Sequence, residues 1–284
     1  MAPRHAPAEP FFLDTARGAR FCLYHAPSGP CRGALLYLHP FAEEMNRARR
    51  MAAVQARAFA AHGVAVLLLD LHGCGDSGGD FADASWAGWL ADIEDGRAWL
   101  EQRSGQRAGL WGLRLGALLA LEAACAAGTV APARLLLWQP VTEGENHLKQ
   151  FLRLRVAADM LHGTNEGSVA ALRAQLEAGT TLEIAGYGLA PALADGMAAA
   201  SAARLLPPCP VDWLELAPEA GRPLPPAAAR IGDGWRARGA TLRQQIVTGP
   251  AFWSTQETTE APELVSTSLG CFDGAMEASG AAHA

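Results

Sequence analysis

The stretch 110–116, LWGLRLG, constrains this chain more than any other, because it reads as a buried strand that runs into a helix through one tight turn. Gly112 and Gly116 bracket that turn, and their missing side chains leave room for the bend. Arg114, at its point, is pushed out at the C-terminal end of the strand. A strand feeding directly into a helix belongs to a wound α/β sheet, so the flanking sequence should alternate strands and helices.

The alternation is there. Residues 11–13 and 21–25 are short apolar pieces around Arg17-Gly18, which predicts a leading antiparallel hairpin. The runs 33–39, GALLYLH, and 64–70, VAVLLLD, are continuously apolar, the pattern of parallel strands covered on both faces. An Ala-rich helix capped by Asn46 is predicted between them over 47–62. A second helix over 87–103 carries Trp89, Ile93 and Leu100 as its apolar stripe; a third follows the turn over 115–127, and 134–138, RLLLW, is another buried strand.

The rhythm breaks over 141–206, where helices are predicted at 147–160 and 168–178 with a short strand at 181–187, and resumes with strands at 211–216 and 241–247 around a helix at 226–238. The expected fold class is α/β, with a doubly wound, mainly parallel sheet whose core is formed by residues 1–140 and 207–256. Residues 141–206 are then an inserted helical cap over the C-terminal ends of the strands, where such sheets bind ligands. Residues 257–284 show no apolar period and are expected to form a mobile tail.

Composition excludes several classes. A length of 284 residues, half of them apolar, supports one large domain. The net charge of -6 without any basic run argues against nucleic acid, whose phosphates need clustered Lys and Arg. Six cysteines are scattered without metal-ligand spacing, so no disulfide framework, metal or cofactor is expected. No apolar run reaches the roughly 18 residues of a membrane span, and the N-terminal sequence lacks a signal-peptide core; a cytoplasmic protein is the expectation.

The turn at Arg114 has the form of a nucleophile elbow, GxSxG, with arginine in place of serine. A guanidinium carries only donors and stays protonated, so it cannot attack a carbonyl. In a Ser-acid-His order the histidine should follow the last core strand, but the sequence there is TGPAFWSTQE, and no histidine lies between His162 and His283. Glu219, just past the strand at 211–216, holds the place of a triad acid. The backbone N–H groups of Phe41, in His39-Pro40-Phe41, and of Leu115 are placed to form an oxyanion pair. The glycine-rich DLHGCGDSGG at 70–79 lacks both GxGxxG spacing and a P-loop lysine, and reads as a turn off the strand.

LWGLRLGALLAL, together with HPFAEEMNRARRM and DLHGCGDSGGDF, resembles the exosortase A system-associated hydrolase 2 family over residues 12–253. The resemblance implies an α/β-hydrolase fold, a hydrolase by name, and a setting of exopolysaccharide production and PEP-CTERM protein sorting. It also implies that an arginine in the elbow belongs to the family pattern.

Three functions remain open. Arg114 stands at a helix N-terminus, where a cation is disfavoured by about 0.3–1 kcal/mol, so it needs a carboxylate or phosphate nearby. Either the protein supplies one, from Glu219 or Glu43, or a small anionic or acyl ligand does; the candidate binding set is Arg114, Leu115, His39, Phe41, Glu43 and Trp253. The second reading is an ester or thioester hydrolase with water activated by His39 or Glu43, Ser77 being the alternative nucleophile. The third is a non-catalytic scaffold.

Overall fold

The computed structural model describes residues 7–161 and 167–280, with side chains as far as Phe272. The chain opens on the hairpin β1 (Glu9–Thr15) and β2 (Gly18–His25), turned at Gly18 with φ 101°. There follow β3 (Gly33–Leu38), α1 (Glu43–Ala61), β4 (Val64–Leu69), α2 (Trp86–Ser104), β5 (Ala108–Leu113), α3 (Leu115–Cys125) and β6 (Leu135–Trp138). Residues 141–206 carry α4 (Gly144–Leu161), α5 (Val169–Glu177), the small hairpin β7 (Leu182–Ile184) and β8 (Tyr187–Leu189), and α6 (Pro191–Ala199). The chain then runs through β9 (Val211–Ala217), α7 (Pro226–Ala237), β10 (Leu242–Thr248) and α8 (Pro262–Gly280).

Eight strands form one sheet in the order β1-β2-β4-β3-β5-β6-β9-β10. Only β1–β2 and β2–β4 pair antiparallel; the rest of the sheet is parallel. Because side chains alternate along a strand, the continuous apolar runs feed two cores. Ala34, Leu36, Leu38 and Leu110 face α2, α3 and α7, while Leu35, Tyr37, Trp111 and Leu113 face α1 and α8. Helices therefore cover both faces, and the α/β class with a doubly wound, mainly parallel sheet is the one found. Among the described residues no helix is long and apolar enough to cross a membrane.

Two expectations are corrected. α1 begins at Glu43 behind Ala42, which has φ 50° and no side-chain cap. The chain leaves β3 through so sharp a turn that the helix has started before Asn46, whose amide instead donates to the Tyr187 hydroxyl at 3.3 Å. The expected tail is instead α8. Leu264, Ser268 and Cys271 recur at helical spacing and are buried, and Trp138 Nε1 donates to Ser268 Oγ at 3.0 Å. A serine and a cysteine on its buried stripe hid the period, and the apolar sheet face beside α1 supplies the driving force. His162 and His283 lie outside the described residues.

Candidate functional site

The elbow exists as backbone geometry. Arg114 sits between β5 and α3 at φ 56° and ψ -118°, a region that L-residues with side chains rarely occupy. Both flanking glycines are required by close approach: a Cβ on Gly112 would run into the backbone of Gly116 and Ala117, and one on Gly116 into the carbonyl oxygens of Leu38 and His39. Removing the side chain at Gly116 lets the start of α3 press against the end of β3 at Leu38 and His39. Ala42 and Gln139, past the ends of β3 and β6, also have positive φ, at 50° and 42°. Such residues cost about 1–3 kcal/mol each, and their clustering at one end of the sheet makes that end the candidate site.

Arg114 is four-fifths buried and its Nε lies 3.3 Å from Glu44 Oε1. Its guanidinium also stands over the Trp253 ring, 5.5 Å from the centroid. The facing carboxylate is therefore Glu44, neither Glu43 nor Glu219. Glu43 points from the exposed side of α1 and takes contacts at 3.4 Å from Arg47 and the Tyr187 hydroxyl. Glu219 is three-quarters exposed on the loop after β9 and lies 3.6 Å from Arg222. Helical phase separates Glu44 from Glu43: Glu44 continues the stripe of Ala48 and Met51, which packs on the sheet. Burial pushes the Glu44 carboxyl above its usual range, while Arg114 pulls it back.

Beside the guanidinium a cleft of about 270 Å³ opens between the sheet end and α4. Arg114, Thr142, Glu143, Asn146, His147 and Gln150 supply its polar lining. Of the sequence candidates Arg114 alone lines it; Trp253 and Phe41 act from behind, Phe41 stacking edge-on against Phe151 and His147. Among the described residues, no group accepts a hydrogen bond from Nη1 or Nη2 of Arg114. His147 is buried with its Nδ1 unpartnered, and burial followed by the Arg114 charge pushes its pKa down to about 3, so it is neutral. The Ser-acid-His order points past the last strand and not to His147, which arrives from α4; its spacing with Leu148 and Phe151 carries the signal.

His39 belongs to the scaffold. Its Nδ1–H donates to Pro40 O at 2.8 Å and its Nε2 accepts from the Leu71 N–H at 3.3 Å, so both ring nitrogens are used and burial favours the neutral ring. It is not placed to activate water at Arg114, since it faces a separate recess with Tyr37, Arg49 and Asp70. Ser77 Oγ donates to Asp70 O at 2.5 Å and accepts from the Phe21 N–H at 2.8 Å, which ties the glycine-rich loop to β2. Four positions before the anticipated acid, Glu215 on β9 is buried and accepts from Trp213 Nε1 at 2.7 Å. Burial pushes its carboxyl up to about 7 against the opposing pull of that hydrogen bond and of Arg114.

No protein-family model matches the sequence, and no curated protein matches it. The three-dimensional structure is similar to Est1E from Butyrivibrio proteoclasticus, solved with bound ferulic acid, at 13% identity over 94% of this chain and 97% of that one, with a TM-score of 0.68. It is also similar to a highly thermostable carboxyl esterase from Bacillus coagulans in complex with glycerol, at 12% identity over 86% and 91% of the two chains and a TM-score of 0.60. Mouse alpha/beta hydrolase domain-containing protein 10 aligns at 14% identity over 94% and 99%, with a TM-score of 0.58. The chain has the α/β-hydrolase fold. At these identities the likeness speaks for the fold alone.

Proposed function

We propose that this protein is a non-hydrolytic member of the α/β-hydrolase fold that binds a small anionic ligand at Arg114, beneath the cap formed by residues 141–206. The setting is the cytoplasm and the exosortase A system that the sequence resemblance implies. One observation carries the reading: a guanidinium is held at the strained point of the elbow by Glu44 and Trp253, with its Nη groups left without a protein acceptor. Strain of this size persists only where the surroundings over-determine it. A carboxylate in the cleft would meet those donors at the N-terminus of α3, where the helix favours negative charge.

The melting temperature of the wild type should rise with millimolar propionate and not with an uncharged ester, and Arg114→Ala should abolish the response. An Arg114→Ala protein that is stabilised as much as wild type would sink the proposal. The same variant should itself lose about 1–3 kcal/mol near pH 8, between the values for surface and buried pairs, because Glu44 stays largely buried without its partner. The loss has a definite sign with pH. Without Arg114 the already raised carboxyl rises further, and a raised carboxyl costs stability only where the unfolded chain has ionised. The deficit should therefore shrink towards pH 4; a deficit that is constant with pH would contradict the assignment to Glu44.

Hydrolysis through a serine requires a nucleophile that the elbow does not provide, and a fluorophosphonate probe is expected to leave the cleft unlabelled. Stoichiometric labelling of any serine lining it, seen by peptide mass spectrometry, would overturn that expectation. The hydrolytic alternative retains one specific support, a carboxyl at Glu215 that titrates near neutrality. Glu215 lines a recess with Ala217, Pro218 and Arg222, apart from the Arg114 cleft.

A further inference from the structure

The cleft at Arg114 is not uniformly basic. Its opposite charge is Glu143, half-buried at the start of the cap, whose Oε1 accepts from Ser201 Oγ at 2.8 Å. Among the described residues no cation is paired with Glu143. One guanidinium and one carboxylate, each lacking a full set of partners, thus face the same space of about 270 Å³, with the neutral Thr142, Asn146, His147 and Gln150 around them. That volume lies just below the usual range of small-molecule sites, roughly 300–1,000 Å³, and is too small to enclose a long acyl chain or a glycan by itself. A simple dianion would have to place charge against Glu143.

The cleft continues past Thr142, Glu143 and Asn146 into a neighbouring recess of about 430 Å³. Its further wall is apolar, made by Ala203 and Ala227 with Ile231 of α7, and Arg230 stands exposed at its rim. Reading from β5 outward, the surface therefore offers a cation, a carboxylate and an apolar shelf. His147, which lines the same cleft, has a buried Nδ1 with no protein partner among the described residues.

We propose that the ligand is a small α-amino acid with an apolar side chain. Its carboxylate is held by Arg114, its ammonium by Glu143, and its side chain lies against Ala203, Ala227 and Ile231. This rests on the anion-binding reading above and adds the second charge and the apolar group. No bond is made or broken, and discrimination comes from satisfying both charges at once.

Isothermal titration of the full chain with leucine, with 4-methylpentanoate, which lacks the amino group, and with isopentylamine, which lacks the carboxylate, tests it. Leucine should bind wild type about tenfold or more tighter than either analogue, the scale of a lost charge-assisted hydrogen bond. In Glu143→Gln, whose amide oxygen still accepts from Ser201, leucine and 4-methylpentanoate should come within about twofold of each other. Equal binding of leucine and 4-methylpentanoate to wild type, or a preference that survives Glu143→Gln, would overturn the amino-acid assignment and leave anion binding intact. If neither carboxylate binds, both readings fall.

Discussion

Replacing Asp92 by Ala is expected to lower the unfolding free energy by about 3–5 kcal/mol, the scale for breaking a buried ion pair by removing one partner. Asp92 lies on α2 with no solvent exposure, and its Oδ1 stands 2.9 Å from Nε of the equally buried Arg20 and 3.2 Å from Nη2 of Arg17. The Arg20 Nε–H is not directed along its short contact, so that contact is ionic rather than a directed hydrogen bond. Oδ2 accepts the backbone N–H of His72 at 2.8 Å. One carboxylate thus joins α2 to the β1–β2 hairpin and to the loop that leaves β4. Without it, Arg20 keeps its charge in an apolar setting with only the carbonyls of Ala19 and Arg17 for partners. Denaturant unfolding measures the loss, and the double variant Asp92→Leu with Arg20→Met should recover most of it, since removing both charges also removes the desolvation cost. A single-variant loss below about 1 kcal/mol would place the pair with surface contacts such as Glu219–Arg222.

Glu215→Gln should stabilise the protein above neutral pH by roughly 3 kcal/mol. The native carboxyl is raised from 4.5 to about 7, chiefly by burial on β9. Between those values the folded protein holds a proton that the unfolded chain has released, so stability falls as pH rises through the window and levels off above it. At about 1.4 kcal/mol per pH unit, the shift amounts to the figure given. Glutamine keeps the acceptor for Trp213 Nε1 and never ionises, so the variant should match wild type near pH 4 and exceed it at pH 8. Unfolding free energies of the two proteins measured across that range decide it: parallel curves would mean that Glu215 ionises in the fold as readily as in the unfolded chain.

Local sequence determined most of the architecture, because the sheet is written in continuous apolar runs and each helix in its own period. GALLYLH, VAVLLLD and RLLLW lie in one sheet, with β5 between the first and the last, and the glycines around Arg114 are there because α3 presses on β3. Local pattern failed where the burying partner is distant. α8 carries Ser268 and Cys271 on its buried stripe, which look polar until Trp138 and the exposed sheet face are beside them. The identity of the Arg114 partner was equally illegible: Glu43 and Glu44 are neighbours in sequence, and one helical step of about 100° turns one to solvent and the other to the guanidinium. His147 and Glu143 reach the same cleft from a segment some thirty residues past the elbow, and only the return of α4 over the strand ends places them there. Strand and helix formation answer to neighbours within a few positions, and the sequence alone therefore determined the sheet and the strained turn. The charges facing that turn depend on how the chain folds back across the sheet, and the tertiary structure alone decided them.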